Sequence, residues 1–411
     1  MPKAARIAWF SALNFGEAEN SVAAYFSEQV LPILSRSYEI ELFHDSFKKH
    51  PKFPTNNFLE AFSRHQRRPY DLYFYQIENQ RSSDFVRAHL GLMPGIVLFH
   101  DLRFSDKGPP GLLSSPWCRK IYGEELDWIK SAMAYREMGL AEAVIFSDAR
   151  HCEEYQRSVS KYFPEKPWCY LPFPASCSAN NAPRDSGDSG VVALCASTGI
   201  ERRAHKVLEA LSAFPDVKLL WMISAGELSK AKELLGEFDI SNVQLFCGNS
   251  PEEWAEIVKR ASIAIHGLFS VWGQLGPYLQ ISLAQGLPCL VTEFASSDYL
   301  PENLVFKVAP GTGEASEWRL AIECALGLAS QAKIANAARE YALSNFSPQI
   351  VADELAGLFD RHLNLSRRAL LSREILIQNQ KQELFVELTA SFADVKLGAA
   401  ISPFSESGWN L

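Results

Sequence analysis

The sequence predicts an α/β protein built from two doubly wound parallel-sheet domains in tandem. Three observations carry this. Apolar strand signals alternate with helix signals from the N-terminus to residue 163, and a second alternation begins at residue 191. Between them, "LPFPASCSANNAPRDSGDSG" (171–190) is dense in Pro, Ser, Asn, Asp and Gly, the composition of a linker. The length of 411 residues suits two or three domains at about 150 residues each.

In the first half, "RIAWFSAL" reads as a strand and "SVAAYFSEQVLPILSR" as a helix that tolerates Pro32. "EIELFHD" and "YDLYFYQIE" are strands, "SSDFVRAHLGLM" a helix and "GIVLFHD" a strand. The stretch 123–140 is helical in pattern, "EAVIFSD" is a strand and "ARHCEEYQRSVSKYF" a helix. In the second half, "VVALCAS", "VKLLWMIS", "VQLFCG" and "SIAIHGLF" are strands. They are separated by the helices "RRAHKVLEALSAF", "GELSKAKELLGEF" and "SPEEWAEIVKRA", the last with Ser250 and Glu253 in a capping-box pattern. Strict β–α alternation implies parallel strands covered on both faces. Residues 314–346 read as helical, and "SPQIVADELAGLFDRHL" as a further helix capped by Ser347. The boundaries expected are a first domain over 1–176, a linker over 177–190 and a second domain over 191–345. A helix over 346–363 then packs back towards the first domain. A helical or loose C-terminal extension follows over 364–411, and its segment 364–390 offers a surface for a protein partner or self-association.

Composition narrows the function classes. Hydrophobic residues make up 47% of the chain, ample for two cores, and the formal net charge of −8 argues against nucleic acid as a partner. No apolar run approaches the ~20 residues that span a bilayer. The start "MPKAARIAWFSAL" reads as a first strand rather than a signal peptide, so a cytoplasmic protein is expected, with membrane contact at most peripheral at the inner face. Eight scattered cysteines without a C-x-x-C pair are expected to be buried reduced thiols. No G-x-S-x-G, H-E-x-x-H or Walker loop is present, and neither a metal nor a cofactor is expected.

The segment "GQLGPYLQISLAQGLPCLVTEF" (273–294) is the most informative. Pro277 suits the first turn of a helix and Gly286 its left-handed stop, before a buried strand "LPCLVT". A glycine-rich turn at a helix N-terminus is suited to an anion, yet no charged side chain lies between Gly273 and Pro288.

Several segments together resemble bacterial family 4 glycosyltransferases. "RIAWFSALNF" with "SVAAYFSEQVLPIL", "YDLYFYQIEN" with "MPGIVLFHDLRF", "ERRAHKVLEAL", "GQLGPYLQISLAQGLPCLVTE" and "YLPENLVFKVAPG" are similar, in order, to that family's motifs. The likeness covers roughly residues 5–360. It implies the GT-B fold, two Rossmann-like domains facing across a cleft. It also implies retaining transfer of a sugar from a nucleotide diphosphate to a hydroxyl of a glycan or glycoconjugate, as in polysaccharide biosynthesis.

The resemblance also assigns residues. Arg202 and Arg203 match a basic pair that stabilises the leaving diphosphate, and His100 lies near the transferred sugar. Gly273, Gln274, Leu275, Gly276, Gly248, Asn249 and Glu293 fall on the donor side. Asn14, Phe15, Gly16, Gln76, Asn79 and Asp101 fall on the acceptor side. Departures concentrate in the cleft. Gln274 stands where the family has Glu, Leu268 where it has Arg, Glu78 where it has Gly, and Ala295 and Tyr299 where it has Gly and Glu. Gln274 can both donate and accept but carries no charge. The alternative reading is a catalytically inactive GT-B protein that acts as a binding or scaffold partner.

Overall fold

The structure is a computed structural model that describes residues 4–13, 21–50, 52–80, 83–102, 134–160, 165–176, 190–248, 250–269, 275–328 and 332–363. The expected positions 14–16, 249, 273 and 274, the linker 177–189 and the extension 364–411 lie outside the described residues.

Seven described strands form the first sheet in the order β3-β2-β1-β4-β5-β6-β7. They are β1 (Arg6–Phe10), β2 (Glu39–His44), β3 (Thr55–Asn57), β4 (Leu72–Ile77), β5 (Ile96–Phe99), β6 (Ala143–Phe146) and β7 (Trp168–Tyr170). Every pairing is parallel, with Phe10 opposite Phe43 and Tyr75, and Ile77 opposite Phe99. Connections run through α1 (Val22–Leu34), α2 (Ala61–Arg67), α3 (Asp84–Leu90), α4 (Tyr135–Leu140) and α5 (Ala149–Glu154), the last continuing as a π turn over Tyr155–Val159. Pro32 sits inside α1 as expected. Strands β3 and β7, three residues each, strand β13 (Val305–Val308) and helix α2 have no counterpart among the elements read from the sequence.

The second sheet has the order β10-β9-β8-β11-β12-β13, again parallel throughout. Its strands are β8 (Val191–Cys195), β9 (Lys218–Ile223), β10 (Val243–Cys247), β11 (Ile263–His266), β12 (Cys289–Thr292) and β13 (Val305–Val308). The helices are α6 (Ala204–Leu211), α7 (Leu228–Glu237), α8 (Pro251–Val258), α9 (Gly276–Ala284), α10 (Glu314–Leu328) and α11 (Ala332–Phe346). The capping box closes: Glu253 N donates to Ser250 Oγ at 3.0 Å and Ser250 N to Glu253 Oε2 at 3.2 Å. Gly286 stops α9 at φ +68°, as the sequence predicts.

Side chains alternate across each buried strand, so each sheet carries two apolar faces. In the first sheet Phe10, Tyr75 and Phe99 pack on one side, while Trp9, Phe74 and Leu98 pack against α1 on the other. A last helix, α12 (348–363), adds Val351, Leu355 and Phe359 to that second face. Tyr38 Oη donates to Asp360 Oδ1 at 2.7 Å, and Phe359 meets Phe74 edge to face at 5.3 Å. In the second sheet α8, α9 and α11 cover one face and α6 and α10 the other.

The two domains touch. Tyr25 of α1 belongs to the apolar cluster of the second domain that holds Leu275 and, from α9, Leu279, and Ala175 N donates to Phe346 O at 2.7 Å. No helix among the described residues is long and apolar enough to cross a membrane. Cysteine burial is narrower than expected. Cys152 and Cys289 are buried, whereas Cys247 and Cys324, on the open ends or outer faces of their elements, are exposed.

Candidate active site at the carboxyl edges of the sheets

Parallel pairing brings the carboxyl ends of neighbouring strands to one edge, where the loops that follow them can converge. In the second sheet they enclose a cavity of about 250 Å³. Cys195 ends β8 and Ala196 and Ser197 follow it; Ile223 ends β9 and Ser224 and Glu227 follow it; Gly248 follows β10; His266 ends β11. Leu275 and Tyr278, at the start of α9, complete it with Arg202 from the short 3-10 turn Ile200–Arg202.

The start of α9 suits an anion. Among the described residues no side chain caps it, its first turn carries no acid, and Pro277 occupies one of its first positions. Its first N–H groups and the helix dipole therefore present positive charge beside Arg202. Burial pushes the His266 imidazole down to about 3, with Arg202 adding to the effect. The neutral ring pairs its Nε2 with Ser282 Oγ at 3.0 Å. Burial also pushes the Cys195 thiol up to about 12, against the pull of Arg202.

The two arginines part company. Arg203 takes a left-handed backbone (φ 55°, ψ 14°) and turns away to Glu314, at the start of α10. Its Nε donates to Glu314 Oε1 at 2.9 Å and its Nη2 to Oε2. Trp318 Nε1 donates to the same carboxylate at 3.1 Å. Arg203 thus braces the β8–α6 loop from behind, and Arg202 is the arginine of the pair that lines the cavity. Gly267 allows this packing, because a Cβ there would lie 2.7 Å from Arg202 O.

Glu227 orders the same loop and went unnoticed in the sequence. Its Oε1 accepts from Thr198 N at 3.0 Å and Thr198 Oγ1 at 2.9 Å, and its Oε2 from Ser224 Oγ at 2.9 Å. Its signal was its place just past a strand's carboxyl end. Gly248 lines the cavity, and it is glycine because a Cβ would lie 2.1 Å from Glu253 Oε2, the carboxylate of the capping box. Glu293 is not brought here. Thr292 turns inward to accept from Leu268 N at 3.1 Å. Strand alternation then sends Glu293 outward, exposed, to a separate depression with Glu302 and Lys307.

In the first sheet, His100 and Gln76 lie at the same edge but inside the core, both fully buried. Gln76 Oε1 pairs with His100 Nε2 at 2.8 Å, and its Nε2 donates to Ser27 Oγ at 2.6 Å and Ser11 Oγ at 3.2 Å. Both ends of the amide are thus engaged within the protein. His100 stacks on Phe173 at 5.0 Å, and burial pushes it down to about 3, a neutral ring. Asp101 is half-buried and accepts from Asn79 N at 2.8 Å. Burial raises its carboxyl; the Asn79 N–H, His151 and Arg202 oppose that rise. The charge of Arg202 therefore reaches across the cleft to Asp101.

Glu78, between Gln76 and Asn79, is 1% exposed and sits under the start of α1. Its Oε2 accepts from Ala23 N at 3.3 Å, with Val22 N and the Ser21 side chain also hydrogen-bonded to it. Burial first, then the Asp101 charge, pushes the carboxyl up to about 7 against these bonds. Burial raises the Tyr278 phenol well above its ordinary range. Cys195, Glu252 and Glu78 add to this, while Arg202 opposes it. Glu78 and Arg202, one from each domain, thus act on one phenol at the start of α9.

No protein-family model matches the chain, and no curated protein matches it. Among solved structures it is similar to sucrose-phosphate synthase from Thermosynechococcus elongatus at 15% identity, covering 87% of this chain and 98% of that one with a TM-score of 0.65. It is similar to a glycosyltransferase from Rickettsia africae at 14% identity, covering 88% and 100%, TM-score 0.62. It is also similar to HepE from Anabaena, solved in complex with UDP and glucose, at 13% identity, covering 87% and 100%, TM-score 0.58. These likenesses define the fold: the chain has the GT-B architecture of glycosyltransferases, two facing Rossmann-like domains.

Proposed function

We propose that the protein is a glycosyltransferase that moves a sugar from a nucleotide diphosphate to a hydroxyl of a glycan or glycoconjugate, with retention at the anomeric carbon. The observation that carries this is the convergence of Arg202 and the uncapped start of α9 on one cavity at the carboxyl edge of the second sheet. The nucleotide lies along the ends of β8 to β10, and the diphosphate lies between Arg202 and the first turn of α9. When the bond from the anomeric carbon to the diphosphate oxygen breaks, charge grows on the leaving phosphate. The arginine and the helix amides are fixed where that charge develops. The complex of HepE with UDP and glucose supports this reading by analogy of fold. Gln274, outside the described residues, holds the donor sugar. His100 acts through shape, as a neutral ring in the wall beneath the cleft, and Arg203 acts by positioning Arg202.

The test is a thermal-shift screen of nucleotide diphosphates and their sugars on the wild-type chain and Arg202→Ala. A binder at 100 times its dissociation constant stabilises by about 2.7 kcal/mol. Binding that falls at least tenfold in Arg202→Ala, together with transfer of the sugar to an acceptor, is the expected outcome. Absence of any nucleotide binding by the wild-type chain would overturn the proposal. Binding without transfer would favour the non-catalytic alternative.

A further inference from the structure

The two domains each turn a helix start towards the cleft, and the two starts differ in kind. In α9 no described side chain caps the first turn. In α1 the first-turn amides are taken: Ala24 N donates to Ser21 Oγ at 3.0 Å, and Val22 N and Ala23 N to Glu78. Glu78 comes from the neighbouring strand end, not from α1, so a foreign carboxylate stands where the helix would otherwise draw an external anion. The group is fully buried, and its second oxygen, Oε1, has no hydrogen-bond partner. Asp101 adds a second acid at the same edge.

We infer that Glu78 is a specificity-determining residue of the first domain. It fills the anion position at the start of α1, so this side of the cleft takes an uncharged, hydroxyl-bearing acceptor and excludes one that places a phosphate or carboxylate there. The inference rests on the glycosyltransferase reading and names the acceptor class for it. Ionised Glu78, with Asp101 beside it, repels a further anion at this edge. A neutral sugar meets no such repulsion at the position where a phosphorylated one does. The phosphate-binding surfaces of the two domains are thereby divided, with the diphosphate held by the second and a neutral group by the first.

Inorganic phosphate is the probe. Its affinity is measured by thermal shift and calorimetry at pH 8, where Glu78 is mostly ionised, in an Arg202→Ala background that weakens the second-domain site. Adding Glu78→Gly opens space and amides at the start of α1, and phosphate affinity should rise at least tenfold. Glu78→Gln keeps the shape and a carbonyl for Ala23 N, removes the charge, and should gain severalfold. It decides the matter if the glycine variant does not fold. Unchanged phosphate affinity in a folded variant overturns the inference. That result is separable from failure of the glycosyltransferase reading, which shows as loss of nucleotide binding in the chain with Arg202 and Glu78 intact.

Discussion

Arg203 and Glu314, 111 residues apart in sequence, meet side by side, with Arg203 Nε donating to Glu314 Oε1 at 2.9 Å and Nη2 to Oε2. The carboxylate is buried and also accepts from Trp318 Nε1. Burial pushes the Glu314 carboxyl up, but the bonds from Arg203 and Trp318 overcome it and hold the group below its usual range. The neighbouring arginines should therefore respond differently to truncation. Arg203→Ala strands a buried charge and should destabilise by about 3–5 kcal/mol. Arg202→Ala removes a cavity-lining charge and should leave the urea midpoint nearly unchanged while weakening nucleotide binding at least tenfold. Urea unfolding and nucleotide titration of both variants check this, and equal stability loss in the two would contradict it.

Stability should also depend on pH through Glu78. Its folded carboxyl is pushed up to about 7 from an ordinary 4.5. The folded chain thus keeps a proton that the unfolded chain releases earlier. The contribution is full below pH 4.5 and is lost as pH rises through 7, an effect of about 3 kcal/mol at most. Wild-type stability relative to Glu78→Gln should fall between pH 4.5 and 7.5. A pH-independent difference between the two proteins would show that Glu78 titrates normally.

Glu227 ties the loop after β8 to the loop after β9. In Glu227→Ala the Thr198 N–H and the hydroxyls of Thr198 and Ser224 lose their shared acceptor. The loss should be about 1–3 kcal/mol, and nucleotide affinity should drop because Ser197 and Ser224 both line the cavity. Denaturation and binding measured together test whether the two effects travel as a pair.

The helix α12 belongs to the first sheet's core although it follows the second sheet in sequence. Truncation after Leu363 should leave a folded protein. Truncation after Phe346 should expose Phe74, Leu98 and their neighbours and give insoluble or molten material. Soluble expression with a cooperative melt for the shorter chain would refute this.

Much of this was legible in local pattern. The capping box of α8, the Pro277 start and Gly286 stop of α9, and the apolar strands each rest on residues a few positions apart. Thr55–Asn57 escaped because a short polar edge strand has no apolar signature. Trp168–Tyr170 escaped because three residues are too few to show a period. The site was harder. Arg202 and Arg203 are adjacent and chemically alike, and only the distant Glu314 separates their roles. Gln76 looked available at a strand end, but its amide is used by His100, Ser11 and Ser27. Glu78 stood out only as a departure from a motif, since its seat under α1 depends on the crossing of two elements more than 50 positions apart.

The bond from Ala175 N to Phe346 O at 2.7 Å joins two stretches that each lead from one domain to the other. The backbone thus passes between the halves twice, and the passages are pinned together at one point. A single tether would let the halves translate and twist freely. A doubled, cross-linked one acts as a pivot, with a fixed point and a preferred axis. Widening of the cleft is then a swing about Ala175 and Phe346. The hydrogen bond from Tyr299 Oη to the Glu153 carboxylate is a further tie between the halves, and parting them there breaks it.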